Sequence, residues 1–393
     1  MNRSTWLCSL LVAAFALSAS AFAADGVINL GPEEIVQANG KNIVVPGYSV
    51  PSFEDWNNDN LKDLIVGEGG GGVNGRIRVY LNVGTEADPC FADFVYAQSE
   101  GKDLTVAPEG CLGCSPRLVP WSGVNHKDLL VGLGDGTVKI FLRIGADNES
   151  SFDSGATLKV GSTGTSTLDV GMRATPTLFD WNNDGLLDVV TGALDGGVHV
   201  YYNCGCGSAI PPHFYTSPID GIFAQANGHD LLVPSGRSSP VIVDADGDGK
   251  QDILTGNTDG QILFYQNVGT DSLPLFGGYT MITSDGKPID LSGAVRSRPS
   301  VCYWTGAKDG YWDLLVGYGD GKIRLYRGIP KAGDFNGSGT LDGEDFTVLV
   351  LALDQPVPPE GSPADLNHDG VVDNLDLGLF VGLWRTEHGA EKK

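Results

Sequence analysis

Carboxylate and amide side chains recur at every second position in three short segments: Asp55, Asn57 and Asp59; Asp180, Asn182 and Asp184; Asp244, Asp246 and Asp248. Each segment carries a turn-forming residue at its sixth position, Asn60, Gly185 or Gly249, and ends on an aspartate, Asp63, Asp188 or Asp252. Oxygen donors at alternate positions around a tight turn suit a hard divalent cation. The spacing is that of a calcium loop, with the backbone carbonyl of Leu61, Leu186 or Lys250 as a further ligand. Two longer versions stand near the C-terminus. One uses Asp334, Asn336, Ser338, Thr340, Asp342 and Asp345; the other uses Asp365, Asn367, Asp369, Val371, Asp373 and Asp376. Their ligands fall at positions 1, 3, 5, 7 (backbone), 9 and 12, with Gly339 or Gly370 at position 6. The pattern predicts about three calcium ions in the first group and two in the second.

Other chemistry is sparse. The six histidines are scattered, none in a metal-binding pair or a nucleophile motif. No isolated acid pair suited to glycoside hydrolysis stands out, so a catalytic residue is unknown at this level. Three arginines, Arg173, Arg237 and Arg296, each precede a proline by three residues; Tyr48 and Gly113 hold the same place elsewhere, and Arg298 is close by. Either they form a basic patch for an anion such as a uronic-acid sugar, or they pair with Asp195, Asp259 and Asp320 in nearby turns. Trp56, Trp121, Trp181 and Trp304 follow the same prolines by five residues. They are suited to stacking on sugars if exposed and to filling a core if buried. Cys111 and Cys114, with Cys204 and Cys206, suit a zinc site, local disulfides or buried free thiols.

These residues recur because the chain repeats. Pro51, Pro116, Pro176, Pro240 and Pro299 lie roughly 61 residues apart. Each proline opens a short strand that leads into the loop, and the final aspartate opens an apolar strand such as Asp63–Val66 or Asp128–Val131. A Gly-rich hairpin follows, then a third strand with alternating apolar residues: Ile77–Tyr80, Val138–Phe141, Val198–Tyr201, Ile262–Tyr265 and Ile323–Tyr326. The fifth unit lacks a fourth strand. Residues 37–46 match residues 225–234, so the N-terminal segment is expected to fill that place and close a ring.

The five units resemble the FG-GAP/VCBS repeats of integrin-alpha-like β-propellers over residues 27–330. The fold expected is all-β, a five-bladed β-propeller closed by its N-terminal strand, followed by a small α-helical paired EF-hand-like domain. The resemblance places the arginines at the mouth of the inner strands, at the end opposite the calcium loops. The loop regions of units two and five, 120–128 and 303–313, lack the early acids. Residues 332–387 resemble a type I dockerin, with aspartate at position 12 of each loop and an apolar helix after it. That family docks onto cohesins. At positions where the family often carries Lys-Arg, this chain has Val350, Leu351, Val381 and Gly382.

Residues 1–23 read as a secretory signal, with Arg3, an apolar stretch and Ala21–Ala23 before the cut. The expected layout is therefore 1–23 signal, 24–331 propeller and 332–393 dockerin-like, in a secreted or surface-attached protein with no membrane span. A net charge of −24 argues against a nucleic-acid partner. The leading functional reading is a calcium-binding recognition propeller for a carbohydrate or protein ligand, attached to a cohesin-like or cell-surface scaffold that handles polysaccharide. The alternatives are a polysaccharide lyase or glycoside hydrolase working at the axial arginine face, and a structural or adhesive protein.

Overall fold

The strand carrying each aligned proline runs antiparallel to the strand that leaves the acidic loop. The pairs are Val50–Glu54 with Asp63–Gly70, Cys114–Val119 with Asp128–Leu133, Thr175–Phe179 with Asp188–Gly192, Ser239–Val243 with Asp252–Gly256, and Arg298–Cys302 with Asp313–Gly317. The last residue of each first strand faces the final aspartate, so the loop is the hairpin connection between the two. A third antiparallel strand follows in every unit: Val73–Asn82, Val138–Phe141, Val198–Asn203, Ile262–Asn267 and Ile323–Gly328. These are the features of a computed structural model that describes residues 28–393 apart from 108–111, 124–126, 146–150, 162–163, 206–212, 216–221, 292, 294, 307–310, 330–331, 336–340, 356, 358–361, 368 and 389–393. The expected signal segment lies outside the described residues.

Outer strands differ between units. Phe91–Tyr96 and Phe276–Met281 are complete fourth strands. Unit two uses the short pieces Ser151–Phe152 and Ala156–Thr157, and unit three uses His213–Tyr215 and Ile222–Phe223. In unit five the fourth place belongs to Asn29–Ile35, antiparallel to Ile323–Gly328 with Leu30 opposite Gly328. The pairing strand thus lies just before the matched segment 37–46, which has a different task. It forms one of five small hairpins, each laid parallel against the outer strand of the next unit: Ala38 opposite Phe91, Gln98 opposite Ser151, Lys159 opposite His213, Ala226 opposite Phe276, and Thr283 opposite Asn29. Two of them turn on Asn39-Gly40 and Asn227-Gly228, with φ of 49° and 68°, and 51° and 75°. Positive φ at both central residues is the tight-turn geometry that Asn-Gly favours.

Apolar side chains on the two faces of each sheet enter different cores. Leu64 and Val66 pack with Leu315, Ile323 and Leu325 of unit five, whereas Ile65 between them packs with Leu129 and Val131 of unit two. The same alternation builds the cores between units two and three, three and four, and four and five. Sheets covered on both faces need near-continuous apolar second strands, which explains Asp63–Val66 and its equivalents. Neighbouring units also meet backbone to backbone. A Cβ added to Gly67, Gly132, Gly192, Gly256 or Gly317 would stand 2.3, 2.2, 2.3, 2.1 or 2.3 Å from the carbonyl oxygen of Cys114, Ala174, Ser238, Ser297 or Ser49, respectively. Only glycine permits that approach without displacing the next unit's first strand. The architecture is an all-β repeat of β-propeller type.

The C-terminal part contains α1 (Gly343–Ala352) and α2 (Asn374–His388). Asp342 caps α1 by accepting from Glu344 N–H, and Asp345 reaches back to the Asp342 N–H in a capping box. Leu341, Leu349, Ala364, Val372 and Phe380 form a core of their own. Among the described residues no helix is long and apolar enough to cross a membrane.

Candidate functional site

The final aspartate of each loop is buried where the first and third strands converge, and both its oxygens accept backbone N–H groups. Asp63 accepts from Trp56 (2.8 Å) and Asn82 (2.8 Å), Asp188 from Trp181 (2.9 Å) and Asn203 (2.7 Å), and Asp252 from Ala245 (3.0 Å) and Asn267 (2.8 Å). Asp128 and Asp313, in units without the early acids, do the same: Asp128 from Ser122 (2.7 Å) and Arg143 (2.9 Å), Asp313 from Trp304 (2.7 Å) and Gly328 (2.8 Å). This carboxylate is therefore a clasp that fixes the loop mouth whether or not a cation pattern is present. Sequence reasoning found the residue but assigned it only as a ligand.

In the three acid-rich loops the earlier residues order the turn. Asp180 accepts from Asp184 and Gly185 N–H, Asp244 from Gly247 and Gly249, and Asp55 from Asn60. Asn57 accepts from Asp59, Asn182 from Asp184, and Asp246 from Asp248. Asp59, Asp184 and Asp248 accept from Leu61, Leu186 and Lys250. Burial holds Asp63 and Asp188 at about 6 and Asp252 at about 7, against the pull of the N–H groups they accept. A nearby cation would favour the charged form of a desolvated carboxylate beside further acids. Two features fit calcium. Asp244, Asp246 and Asp252 each place an oxygen within 4.8 Å of the others. In the first loop, Asp55 Oδ1 is buried with no hydrogen-bond partner. Cationic side chains also reach two of the loops: Lys127 of unit two lies 3.0 Å from Asp55, and Lys250 lies 2.9 Å from Asp248.

The C-terminal loops repeat one bonding scheme. Asp345 accepts from Phe335 (2.8 Å) and Asp342 (2.9 Å), while Asp376 accepts from Leu366 (2.8 Å) and Asp373 (2.8 Å). Asp365 accepts from Asp369 and Gly370, Asn367 from Asp369, Asp369 from Val371, and Asp373 from Leu375. Asp334 accepts from the hydroxyl of Tyr311. Asn336, Ser338 and Thr340 lie outside the described residues.

At the opposite end of the strands the arginines adopt an unusual backbone. Arg173, Arg237 and Arg296 have φ of 64°, 59° and 73°, a left-handed conformation uncommon for a residue with a Cβ. Arg173 is buried and donates to Ser238 O (3.4 Å) and Ser239 Oγ (3.3 Å) of the next unit. Arg237 donates to Thr258 Oγ1 (3.1 Å), and Arg298, also buried, donates to Arg296 O (2.9 Å). The guanidinium groups of Arg296 and Arg298 lie 4.8 and 5.0 Å from the Tyr48 ring centre. Asp320 is held by Arg324 rather than by an aligned arginine (2.8 Å). Next to these residues is a device the sequence reading missed. Ser49, Ser238 and Ser297 donate their hydroxyls across to Lys322, Gly197 and Gln261 of the preceding unit, and the Cys114 thiol does so to Arg76. The signal was a small polar residue two places before the aligned proline.

The tryptophans pack between units. Trp56 meets Phe152, Trp121 meets Phe214, Trp181 meets Phe276 and Trp304 meets Phe91, each ring on the next unit's outer strand. Of the cysteines, Cys204 is disulfide-bonded, Cys114 and Cys302 are buried free thiols, and Cys90 is exposed and free. Local pairing of Cys114 with Cys111 is thereby ruled out. Cys111 and Cys206 lie outside the described residues. Burial pushes the Cys114 thiol up to about 12. In the native protein a thiol reagent is expected to label Cys90 in seconds to minutes and to reach Cys114 and Cys302 only on unfolding. Mass spectrometry of labelled peptides checks this, and rapid labelling of Cys114 would contradict its placement.

An FG-GAP-like repeat model matches residues 180–255, which run from the first loop acid of unit three to the second strand of unit four. No curated protein matches the chain. Among solved structures, the chain is similar to a GH43_1 enzyme from Xanthomonas citri at 9% identity and a TM-score of 0.44, covering 75% of this chain and 90% of that one. The same enzyme complexed with xylotriose gives 9% identity and a TM-score of 0.42, covering 75% and 89%.

Proposed function

We propose that this chain is an exported, calcium-braced recognition protein. Its five units form a propeller closed by the N-terminal strand, and a dockerin-like C-terminal module attaches it to a surface or complex that handles polysaccharide. The observation that carries the reading is the shared bonding scheme of the two C-terminal loops, each leading into a helix that leaves large apolar residues in solvent. Phe346, Val350 and Leu351 on α1, with Leu375 and Leu379 on α2, are all exposed. A small module with a thin core and an apolar outer face is suited to docking. In the propeller the donor sets of 55–63, 180–188 and 244–252 would hold calcium, which would supply the charge balance that the buried aspartates lack.

Chelation is expected to lower the melting temperature, with the helical module unfolding first, because a ligand bound only by the native state stabilises it by mass action. Calorimetry with and without excess chelator checks this, and an unchanged profile would remove calcium from the proposal. Affinity capture on insoluble polysaccharides and on cohesin-type modules, followed by product analysis, tests the function. Binding without new reducing or unsaturated ends supports recognition, whereas turnover would replace it with an enzymatic reading.

A further inference from the structure

The repeat builds the same recess twice, between a connecting hairpin and the outer edge of the next sheet. One lies on unit one, between Asn39–Val44 and the strands bearing Tyr80 and Phe94, with a volume of about 200 Å³. The other lies on unit four, between Asn227–Leu232 and the strands bearing Tyr265 and Tyr279, with a volume of about 420 Å³. Register makes the two comparable. Ala38 faces Phe91 as Ala226 faces Phe276, and Phe94 faces Tyr80 as Tyr279 faces Tyr265.

Among the differences between them, three open the second recess. Ala92 and Asp93 correspond to Gly277 and Gly278, so the Asp93 side chain that lines the first recess is missing from the second. Arg78, whose guanidinium lies 4.0 Å from the Phe94 ring centre and is held by Glu68, corresponds to the buried Leu263. The aromatic face that a cation covers in unit one therefore has none over it in unit four among the described residues. Tyr279 is 46% exposed and meets Tyr265 at 5.7 Å between ring centres. Across the recess stand Asn227 and Asp230, the latter oriented by Gln225 Nε2 at 2.8 Å.

We propose that the unit-four recess is a binding site for a neutral pyranose unit of a glycan. The Tyr279 ring would take the C–H face of the sugar, while Asp230 and Asn227 would bind adjacent hydroxyls. An open aromatic platform facing one carboxylate and one amide matches the amphipathic faces of a sugar ring, and the volume lies within the range of small-ligand sites. Among the described residues the only charged group lining the recess is Asp230, which disfavours acidic sugars. The unit-one recess, narrower and lined by Lys41, Arg78 and Asp93, does not bind the same ligand.

This site rests on the recognition reading, and the test separates the two. The calcium-loaded full chain is titrated by calorimetry with neutral xylo-, gluco- and manno-oligosaccharides and with oligogalacturonate. The wild type is expected to bind a neutral oligosaccharide more tightly than oligogalacturonate. Tyr279→Ala and Gly278→Asp, which writes the unit-one residue into unit four, should each weaken binding at least tenfold. A Cβ at Gly278 would meet its nearest atom, Asn227 Nδ2, at 3.9 Å, so the fold tolerates the change, and an unaltered melting temperature verifies this. Phe94→Ala is expected to leave binding unchanged. Binding that survives both unit-four variants, or that prefers oligogalacturonate, overturns this site and leaves the recognition reading standing. Absence of binding to every saccharide overturns this site, and the recognition reading is then decided by the polysaccharide and cohesin capture.

Discussion

Asp128→Ala is expected to destabilise the protein by about 2–6 kcal/mol, with or without calcium. The carboxylate is buried and accepts the backbone N–H groups of Ser122 and Arg143, and its loss leaves both donors unsatisfied at roughly 1–3 kcal/mol each. Unit two lacks the early acids of the cation pattern, so its clasp should act without a metal. Asp252→Ala in unit four is expected to cost more in calcium than in chelator, since there the same clasp also belongs to a convergent acid cluster. Asp128→Asn keeps one acceptor and should fall in between. Urea unfolding of the three variants in calcium and in chelator provides the comparisons. A loss at Asp128 that vanishes on chelation would show that the residue serves a metal and not the loop mouth.

How much of this was legible beforehand depended on whether the signal was local. First, second and third strands were readable because the proline and the acidic loop bracket the first, the second is a continuous apolar run after the final aspartate, and the third alternates over four residues. The bounds of the outer strands were not, because pieces such as Ser151–Phe152 and Ala156–Thr157 are two residues long, too short to show a periodicity. Only two of the five connecting hairpins stood out, those whose Asn-Gly turns preserve the sequence match. Two others, turning on Glu100-Gly101 and Asp285-Gly286, keep the geometry while changing the residues, and the hairpin of Lys159–Val160 with Ser166–Thr167 has a longer connection. The tryptophans were recognised as a ring, but their phenylalanine partners come from the following unit, so the contact could be assigned only once register was known. The final aspartates show the same limit. Their spacing announced a ligand, while one of the two backbone donors that hold each of them, Asn82 or Gly328 for example, lies 15 or more residues away. The unit-four recess was unreadable for a different reason. It is made by glycines at two positions, and an absent side chain acquires meaning only against the unit in which it is present.

Gly317→Val is expected to cost about 3 kcal/mol or more, and its size reports on ring closure. The added Cβ would stand 2.3 Å from Ser49 O and 2.7 Å from Pro51 Cδ, atoms of unit one that are far away in sequence and held by their own strand pairing. Overpacking against side chains typically costs about 1–3 kcal/mol, and backbone atoms yield less readily. Gly192→Val and Gly256→Val, inside the run of consecutive units, set the scale, because their contacts with Ser238 and Ser297 do not depend on the chain ends meeting. Gly277→Ala, whose nearest contact is 3.8 Å, serves as the near-neutral reference. In a closed ring Gly317 is equivalent to Gly192 and Gly256, and the three valine variants lose comparable stability in urea unfolding. In an open arc Gly317 would face solvent at a free edge, where valine, a strand-favouring residue, would be harmless or mildly stabilising. A destabilisation at Gly317 as small as that of Gly277→Ala, beside a large one at Gly192, would therefore refute closure by the N-terminal strand while leaving the repeat itself intact.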